Sequence, residues 1–594
     1  MENSIQGKFF VNSKTSIIQE SLKGQCLTNE KLLYYPQYNF VIDSAQLESK
    51  DKVRLLCGGG SGHEPAHGGY VTKGMLTCAV CGDIFSSPAC ANIIKAVQKI
   101  YTDAGVIIIV KNYTGDIINF SLACELFKSQ GKKVDMVIVD DDISLINMNE
   151  KKESNEFNKR RGLCGTVLLY KILGYLSEKK FSFEDMMTYA RSIIPSLYTV
   201  GVSLTTCIPP FSSITKGDVI PNGFYELGLG IHGEKGLERI KFESVDDVIQ
   251  KMFEKSFNAH IEKEIYSKMK DVVIIVNNLG ALTPIEMNII IKTLCDYVYR
   301  NTKLNIVRII HGAVMTSLDM KGFSLTLCNL NQNDKVNESI QTIAEAIDAK
   351  VEVPSSNWNV IKEPKRIYDE YETKQILYDK EEERKEVNSD ASKTKGILSE
   401  LFALLKSKEE YLNTLDKKVG DGDIGTGTFN AVTKANEDLK FLNFETELKS
   451  SLKRIAEHIG AGFGGTSGPL YMSFLLRGSD FIKEKESENT VKDFVKALNE
   501  GARMIMNVGK AKLGDRTMID YLIPMSEQFE PCENIEQIKK VFNENRKELL
   551  EKVKHMKSKR GRSSYLDGKE IGLDEPGCVL VDLWMEFILS KINC

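Results

Sequence analysis

No stretch of about 18 consecutive apolar residues occurs anywhere in the 594-residue chain, so no transmembrane helix is expected. Met1 to Lys14 alternates polar and apolar residues and lacks the apolar core of a secretory signal. There is no excess of positive charge either: 78 Lys and Arg stand against 82 Asp and Glu, a formal charge of −4, so no global field draws the protein to nucleic acid or anionic lipid. Neither kind of partner is expected. The 13 cysteines are odd in number and scattered through apolar runs, a pattern of buried thiols in a reducing compartment rather than of a disulfide framework, and the cytoplasm is the expected location. Cys78 and Cys81 form a lone CxxC without a second pair at zinc spacing and are read as small core residues. A Walker A motif, a Rossmann glycine fingerprint and a short-period repeat are also missing.

What is present divides in two. Val53–Cys57, Val106–Val110, Val134–Val139, Val272–Val276, Ile306–Ile310 and Phe323–Leu327 are short, apolar, mostly β-branched runs separated by helical stretches, the pattern of an α/β fold. A run such as Val106–Val110, apolar at every position, predicts a strand buried on both faces, with ligands gathered where such strands end. From Lys362 to Lys395 the chain is dense in Lys and Glu and reads as a solvated linker. Beyond it Ile397, Leu398, Leu401, Phe402, Leu404 and Leu405 recur at helical spacing and no comparable strand follows, which predicts an all-α C-terminal third. The expected boundaries are 1–355, a linker over 356–393, and 394–594.

Chemistry concentrates in a few segments. Gly58-Gly59-Gly60-Ser61-Gly62-His63-Glu64-Pro65 directly follows the first strand; its glycines permit close backbone approach to a ligand or a tight turn, and His63 arrives at the strand's end. Lys111 to Asp116 closes the strongest strand with a cation and a carboxylate, for ligand binding or for capping the next helix. Asp140-Asp141-Asp142 raises the same choice, with capping preferred. Gly228 to Glu234 presents His232 between glycines, an imidazole able to act as base, ligand or nucleophile.

In the helical third, Asp416, Asp421 and Asp423 place three carboxylates within eight residues, mutually repulsive without a cation, and all-oxygen ligation suits Mg²⁺ carried by a phosphate substrate. An EF-hand is excluded because the twelfth position from Asp421 is Val432, not Glu. Gly460 to Pro469 could offer backbone N–H groups to phosphate or allow close helix packing, and Gly509 to Met518 and Arg560-Gly561-Arg562 add cations.

These motifs, with Arg160-Arg161-Gly162, Val276 to Gly280 and Met315 to Met320, stand in an order that resembles the dihydroxyacetone kinase family, in its ATP-dependent form that fuses a K domain to an L domain, over nearly the whole chain. The resemblance implies two α/β lobes binding the substrate and a C-terminal helical barrel binding nucleotide. It implies that the ketone of dihydroxyacetone forms a hemiaminal with His232, that Asp116 and His63 handle the proton of the attacking hydroxyl, and that Gly60, Ser61, Gly62, His63 and Lys111 hold the triose. It assigns Mg²⁺ to Asp416, Asp421 and Asp423, and ATP to Ile424, Gly425, Thr426, Gly427, Thr466, Ser467, Gly509, Thr517, Met518, Arg562, Glu575, Pro576 and Gly577. Ile424 stands where the family has Cys or His, and Glu575 where Asp is common. The resemblance also implies a homodimer, in which some members exchange L domains. Glyceraldehyde is a second expected substrate; a non-catalytic ketose-binding regulator and a lyase releasing cyclic FMN from FAD are the alternative readings.

Overall fold

The computed structural model describes residues 4–144, 160–215, 219–351, 358–370, 387, 392–463, 466–560, 562–566 and 568–592. Contacts divide the chain into two compact units, Met1–Leu377 and Tyr378–Cys594. Most of the charged stretch 356–393 lies outside the described residues.

The first unit opens with β1 (Ser4–Gln6) and then builds a six-stranded sheet from β2 (Leu32–Tyr35), β3 (Phe40–Asp43), β4 (Arg54–Ser61), β5 (Cys78–Ile84), β6 (Val106–Lys111) and β7 (Val134–Val139), in the order β2-β3-β5-β4-β6-β7. β5, β4, β6 and β7 run parallel. The chain leaves β4 for β5 on one side and returns to β6 on the other, which makes the C-terminal end of β4 a switch point where a crevice opens. The second sheet uses β8 (Leu197–Ser203), β10 (Phe224–Leu227), β11 (Glu238–Lys241), β12 (Asp271–Asn278), β13 (Asn305–Gly312), β14 (Gly322–Asn329) and β15 (Asn359–Ile361), in the order β11-β10-β8-β14-β12-β13-β15, while β9 (Ser213–Thr215) pairs with β1.

The strand period of two sorts the apolar runs between separate cores. Leu55, Cys57, Ile107 and Ile109 enter one, and Leu56, Val106, Ile108 and Val110 another on the opposite face. The first core also takes Val273 and Ile275 from the second sheet, so the two sheets share it. The helix Gly165–Glu178 runs through that core, with apolar side chains buried around its circumference. Asp141 fixes its start, accepting from the N–H groups of Leu163 and Gly165 at 2.6 and 2.8 Å. Cys78 and Cys81 lie in β5 and face opposite cores, a placement that prevents them from ligating one ion.

β4 does not end at Cys57, where the apolar run stops, but continues through Gly58, Gly59 and Gly60 to Ser61. The glycines are required by proximity: a Cβ at Gly58 would sit 2.2 Å from the Val80 carbonyl oxygen, and one at Gly60 2.6 Å from the Ser86 nitrogen.

All regular structure described in the second unit is helical: Lys393–Ser407, Glu409–Asp416, Ile424–Asp438, Leu448–Gly462, Ser467–Ser479, Val491–Gly509, Ile519–Gln528, Ile535–Lys554 and Pro576–Lys591 are its α-helices. Sequential helices pack on one another and the last returns to the first, closing a ring.

Gly58→Ala should destabilise the first unit by about 1–3 kcal/mol, since a backbone carbonyl cannot yield to the new methyl. Gly24→Ala, on a helix with nothing within 4 Å of its Cβ position, should be neutral or stabilising by up to about 1 kcal/mol. Urea unfolding followed by circular dichroism distinguishes them, and equal midpoints would contradict the packing account.

Candidate active site

His63 follows β4 by two residues, and His232 comes from the loop after β10. The second lobe fixes both. Nδ1 of His63 lies 2.9 Å from the Thr316 carbonyl oxygen, Ser317 donates to the Ile231 carbonyl, and Nδ1 of His232 lies 2.7 Å from a Glu234 carboxylate oxygen. The Nε2 atoms of the two rings are 3.1 Å apart. Because a carbonyl only accepts, His63 carries its proton on Nδ1 and presents a lone pair at Nε2, so the proton between the rings sits on His232. Phe85 stacks on His63 with centroids 5.1 Å apart, and Phe85 and Tyr113 meet His232 edge-on at 5.0 and 4.7 Å.

Electrostatics follows from this enclosure. Burial, with the nearby charges of Lys111 and His232, holds the His63 imidazole well below its ordinary value. Burial works against ionisation of Glu234, but the His232 hydrogen bond and charge, together with Arg161, bring its carboxyl down to about 2. Asp116 lies in the first turn of the helix Thr114–Ser129; burial raises its carboxyl, opposed by the charge of Lys111.

Gly59 faces these groups. A Cβ there would lie 3.0 Å from Nε2 of His67, 3.3 Å from a carboxylate oxygen of Asp116 and 3.3 Å from Cε of Lys111. His67 is buried, its Nδ1 2.6 Å from the Tyr170 hydroxyl, while its Nε2 has no hydrogen-bond partner among the described residues. A small polyol meeting that nitrogen, the carboxylate and the ammonium would satisfy all three. Gly60 and Gly62 instead pack against the Phe85 loop, and the Ser61 hydroxyl donates to the Gly82 carbonyl at 2.8 Å.

In the second unit, Asp416, Asp421 and Asp423 each bring a carboxylate oxygen within 4.8 Å of the others. One oxygen of Asp416 accepts from the N–H groups of Gly422 and Asp423, both at 2.9 Å, which folds the loop back on it. Three hard oxygen donors at that separation fit Mg²⁺. Ile424, Gly425, Thr426 and Gly427 open the next helix with their N–H groups already satisfied, by Asp416, by the Asn413 amide oxygen for two of them, and by the Asp423 carbonyl. Of the four, Ile424 alone donates to a carboxylate of the cluster.

The remaining segments expected at nucleotide meet in two groups. Thr466 and Ser467 open the helix Ser467–Ser479, whose Gly468 approaches the Phe463 carbonyl so closely that a Cβ would lie 2.2 Å from it; Gly464, Gly465 and Gly561 fall outside the described residues. Gly509 ends its helix against Leu470. Thr517 and Met518 adjoin Glu575, Pro576 and Gly577: the Cys578 thiol lies 3.4 Å from the Thr517 carbonyl oxygen, and Met518 Cβ lies 3.4 Å from the Cβ position of Gly577. Glu575 caps the helix Pro576–Lys591 through the Cys578 N–H at 2.6 Å. The buried hydroxyls of Tyr471 and Thr517 lack partners among the described residues. Arg562 begins a short 3₁₀ turn, Arg562–Leu566.

The motifs alone give no role to His67, Glu234 or Asn413. Each had a local signal: His67 lies four residues after His63, Glu234 two after His232, and Asn413 three before Asp416 on one helix.

A Dak1 domain matches residues 23–355 and a DAK2 domain residues 418–590. The chain is 32% identical to triokinase/FMN cyclase of Mus musculus, covering 99% of each chain. It belongs to the dihydroxyacetone kinase family. A probable dihydroxyacetone kinase of Dictyostelium discoideum is 31% identical over 98% of this chain and 99% of that one. Among solved structures, the dihydroxyacetone kinase of C. freundii aligns with TM-score 0.57 and 29% identity over 99% of this chain and 100% of its own, and its complex with AMP-PNP and Mg²⁺ with TM-score 0.56 and 28% identity over 98% and 100%. The α/β unit with two sheets followed by a helical unit is the fold of that kinase.

The buried imidazoles make stability depend on pH. His63 and His67 are held well below 6.5 by burial and Lys111, so below that value the unfolded chain binds protons that the folded one refuses. Stability is present above about pH 6.5 and should fall by up to about 1.4 kcal/mol per histidine for each unit below it. Thermal melts from pH 7 to 5 should show this slope, shallower in His63→Asn; a flat profile would contradict the buried neutral imidazoles.

Proposed function

We propose that the protein is an ATP-dependent dihydroxyacetone kinase, with glyceraldehyde a second substrate, that holds its ketose as a hemiaminal on His232. The observation that carries this reading is the tether of His232 Nδ1 to Glu234, which leaves Nε2 as the ring nitrogen available to a carbonyl carbon. His63 accepts the Nε2 proton; the freed lone pair forms the C–N bond as the carbonyl π pair moves to oxygen, and His63 returns the proton to that oxygen. The low basicity of His63 suits a transient carrier. The ketone carbon is thereby held while Lys111, Asp116 and His67 engage the hydroxyls.

For transfer, the attacking hydroxyl forms its O–P bond as the bond to ADP breaks, and Asp116, raised by burial, takes the released proton. Asp416, Asp421 and Asp423 would hold Mg²⁺ with ATP, the ion supplying neutralisation of phosphate charge. Ile424 to Gly427, Thr466, Ser467, Gly509, Thr517, Met518, Arg562 and Glu575 to Gly577 would contact the nucleotide. The proposed division is a K domain over 1–355, a linker over 356–393 and an L domain over 394–594. We further propose a cytoplasmic homodimer. The mouse relative's name includes FMN cyclase, so FAD belongs among the substrates tested.

Purified protein is assayed with Mg²⁺ATP and dihydroxyacetone, glyceraldehyde, glycerol or FAD. Wild type should prefer dihydroxyacetone to glycerol, and His232→Ala should erode that preference at least about 100-fold, because an imidazole adds to a ketone and not to an alcohol. Asp421→Asn should raise the Mg²⁺ requirement while leaving triose binding intact. Undiminished preference in His232→Ala would remove the covalent step, and an unchanged Mg²⁺ requirement would make the carboxylate cluster structural.

A further inference from the structure

A cavity of about 1030 Å³ lies in the first unit, away from the two histidines. Its wall includes Glu178, which pairs at 2.7 Å with Lys52, two residues before β4, whereas His63 lies two residues past the other end of that strand. Eight residues of β4 put about 26 Å between those ends. The cavity is therefore separate from the site already described.

Its lining is uneven in charge. Among the described residues, Lys171, Lys179 and Lys350 face it without a carboxylate in ion-pair contact, while Lys73 at the exposed rim lies 3.9 Å from Glu178. The three carboxylates on the same wall are committed elsewhere: Asp43 accepts from the Ala45 N–H and the Gln46 amide, Glu178 from Lys52, and Asp348 from Arg308 through two hydrogen bonds of 3.0 Å. Lys171 is the most constrained. It projects from the helix Gly165–Glu178, has no solvent exposure, and gives its ammonium to the Ala349 carbonyl at 2.8 Å, leaving two donor hydrogens. A carbonyl relieves desolvation without neutralising the charge, and burial, only partly offset by the charge of Asp348, pulls this ammonium down to about 8. Beside it, the indole N–H of Trp358 is buried without an acceptor among the described residues.

A buried cation with no carboxylate in direct contact and a buried donor without an acceptor among the described residues are each costly, and here both line one cavity large enough for a small organic molecule. What would relieve both is an anion with several acceptor oxygens. Exposed Lys179 and Lys350 at the rim would supply further charge for entry and for a second negative charge. We propose that this cavity is a binding site for a phosphate-bearing anion, its phosphoryl oxygens meeting the Lys171 ammonium and the Trp358 indole N–H, with Lys179 and Lys350 closing over the outer charge.

The chain holds two tryptophans, so Trp584→Phe makes Trp358 the sole indole reporter of the full-length protein. That variant is titrated with inorganic phosphate, with AMP and with dihydroxyacetone phosphate while Trp358 emission is followed. A saturable change is expected, weakened about tenfold or more by Lys171→Met, which keeps the length of the buried side chain, and also by Lys179→Gln with Lys350→Gln, whose exposed positions leave folding intact. Equal affinity for the three ligands assigns recognition to the phosphoryl group alone, and tighter binding of one organic phosphate identifies the remainder of the ligand. Absence of a saturable change with all three, or a response unaltered in both lysine variants, overturns the site.

Discussion

The hydrogen bond between the Nε2 atoms of His63 and His232 joins two lobes that reach it by different routes. Its donor direction is dictated from outside the pair: Thr316 fixes the tautomer of His63, and Glu234 fixes the ring of His232. Neither histidine could be assigned a role alone, since each takes its protonation from a partner that only accepts. The Gly-rich end of β4 serves the same geometry, because strand, Phe85 loop and helix Thr114–Ser129 can approach to these distances only where β4 has no side chains.

The two units handle carboxylates in opposite ways. In the first, Asp116 is buried and Glu234 half-buried, and their ionisation is set by burial against a few named cations, a suitable state for proton handling and for steadying a ring. In the second, Asp421 and Asp423 are exposed beside the half-buried Asp416, and the N–H groups of Gly422 and Asp423 fold the loop onto the Asp416 carboxylate. Oxygen donors kept together near solvent suit an ion that arrives with its substrate. Phosphoryl transfer is served by this separation, since positioning and charge neutralisation make different demands on the protein.

The α/β and all-α halves were readable because apolar runs such as Val106–Val110 face two cores and the later leucines recur at helical spacing. β5 and β8 carry no comparable signal because cysteine and glycine interrupt their β-branched character, at Cys81 and Gly82 and at Gly201, and neither do β2 and β3, each only four residues long. The glycines after Cys57 suggested a loop, whereas close neighbours keep them in the strand; nothing in one sequence states how near Val80 will come. Similarly, His63, His232 and Asp116 were visible as polar residues at strand ends or between glycines, but the open nitrogen of His67 and the amide of Asn413 acquire meaning only from what surrounds them.

Covalent engagement of the ketone by His232 is tested most directly by ¹³C NMR of the protein with [2-¹³C]dihydroxyacetone. Bound substrate should show its labelled carbon in the tetrahedral rather than the carbonyl region, with scalar coupling to an ¹⁵N-labelled imidazole, and both features should vanish in His232→Ala. A bound carbon that stays in the carbonyl region, or a tetrahedral signal that survives in His232→Ala, would contradict it.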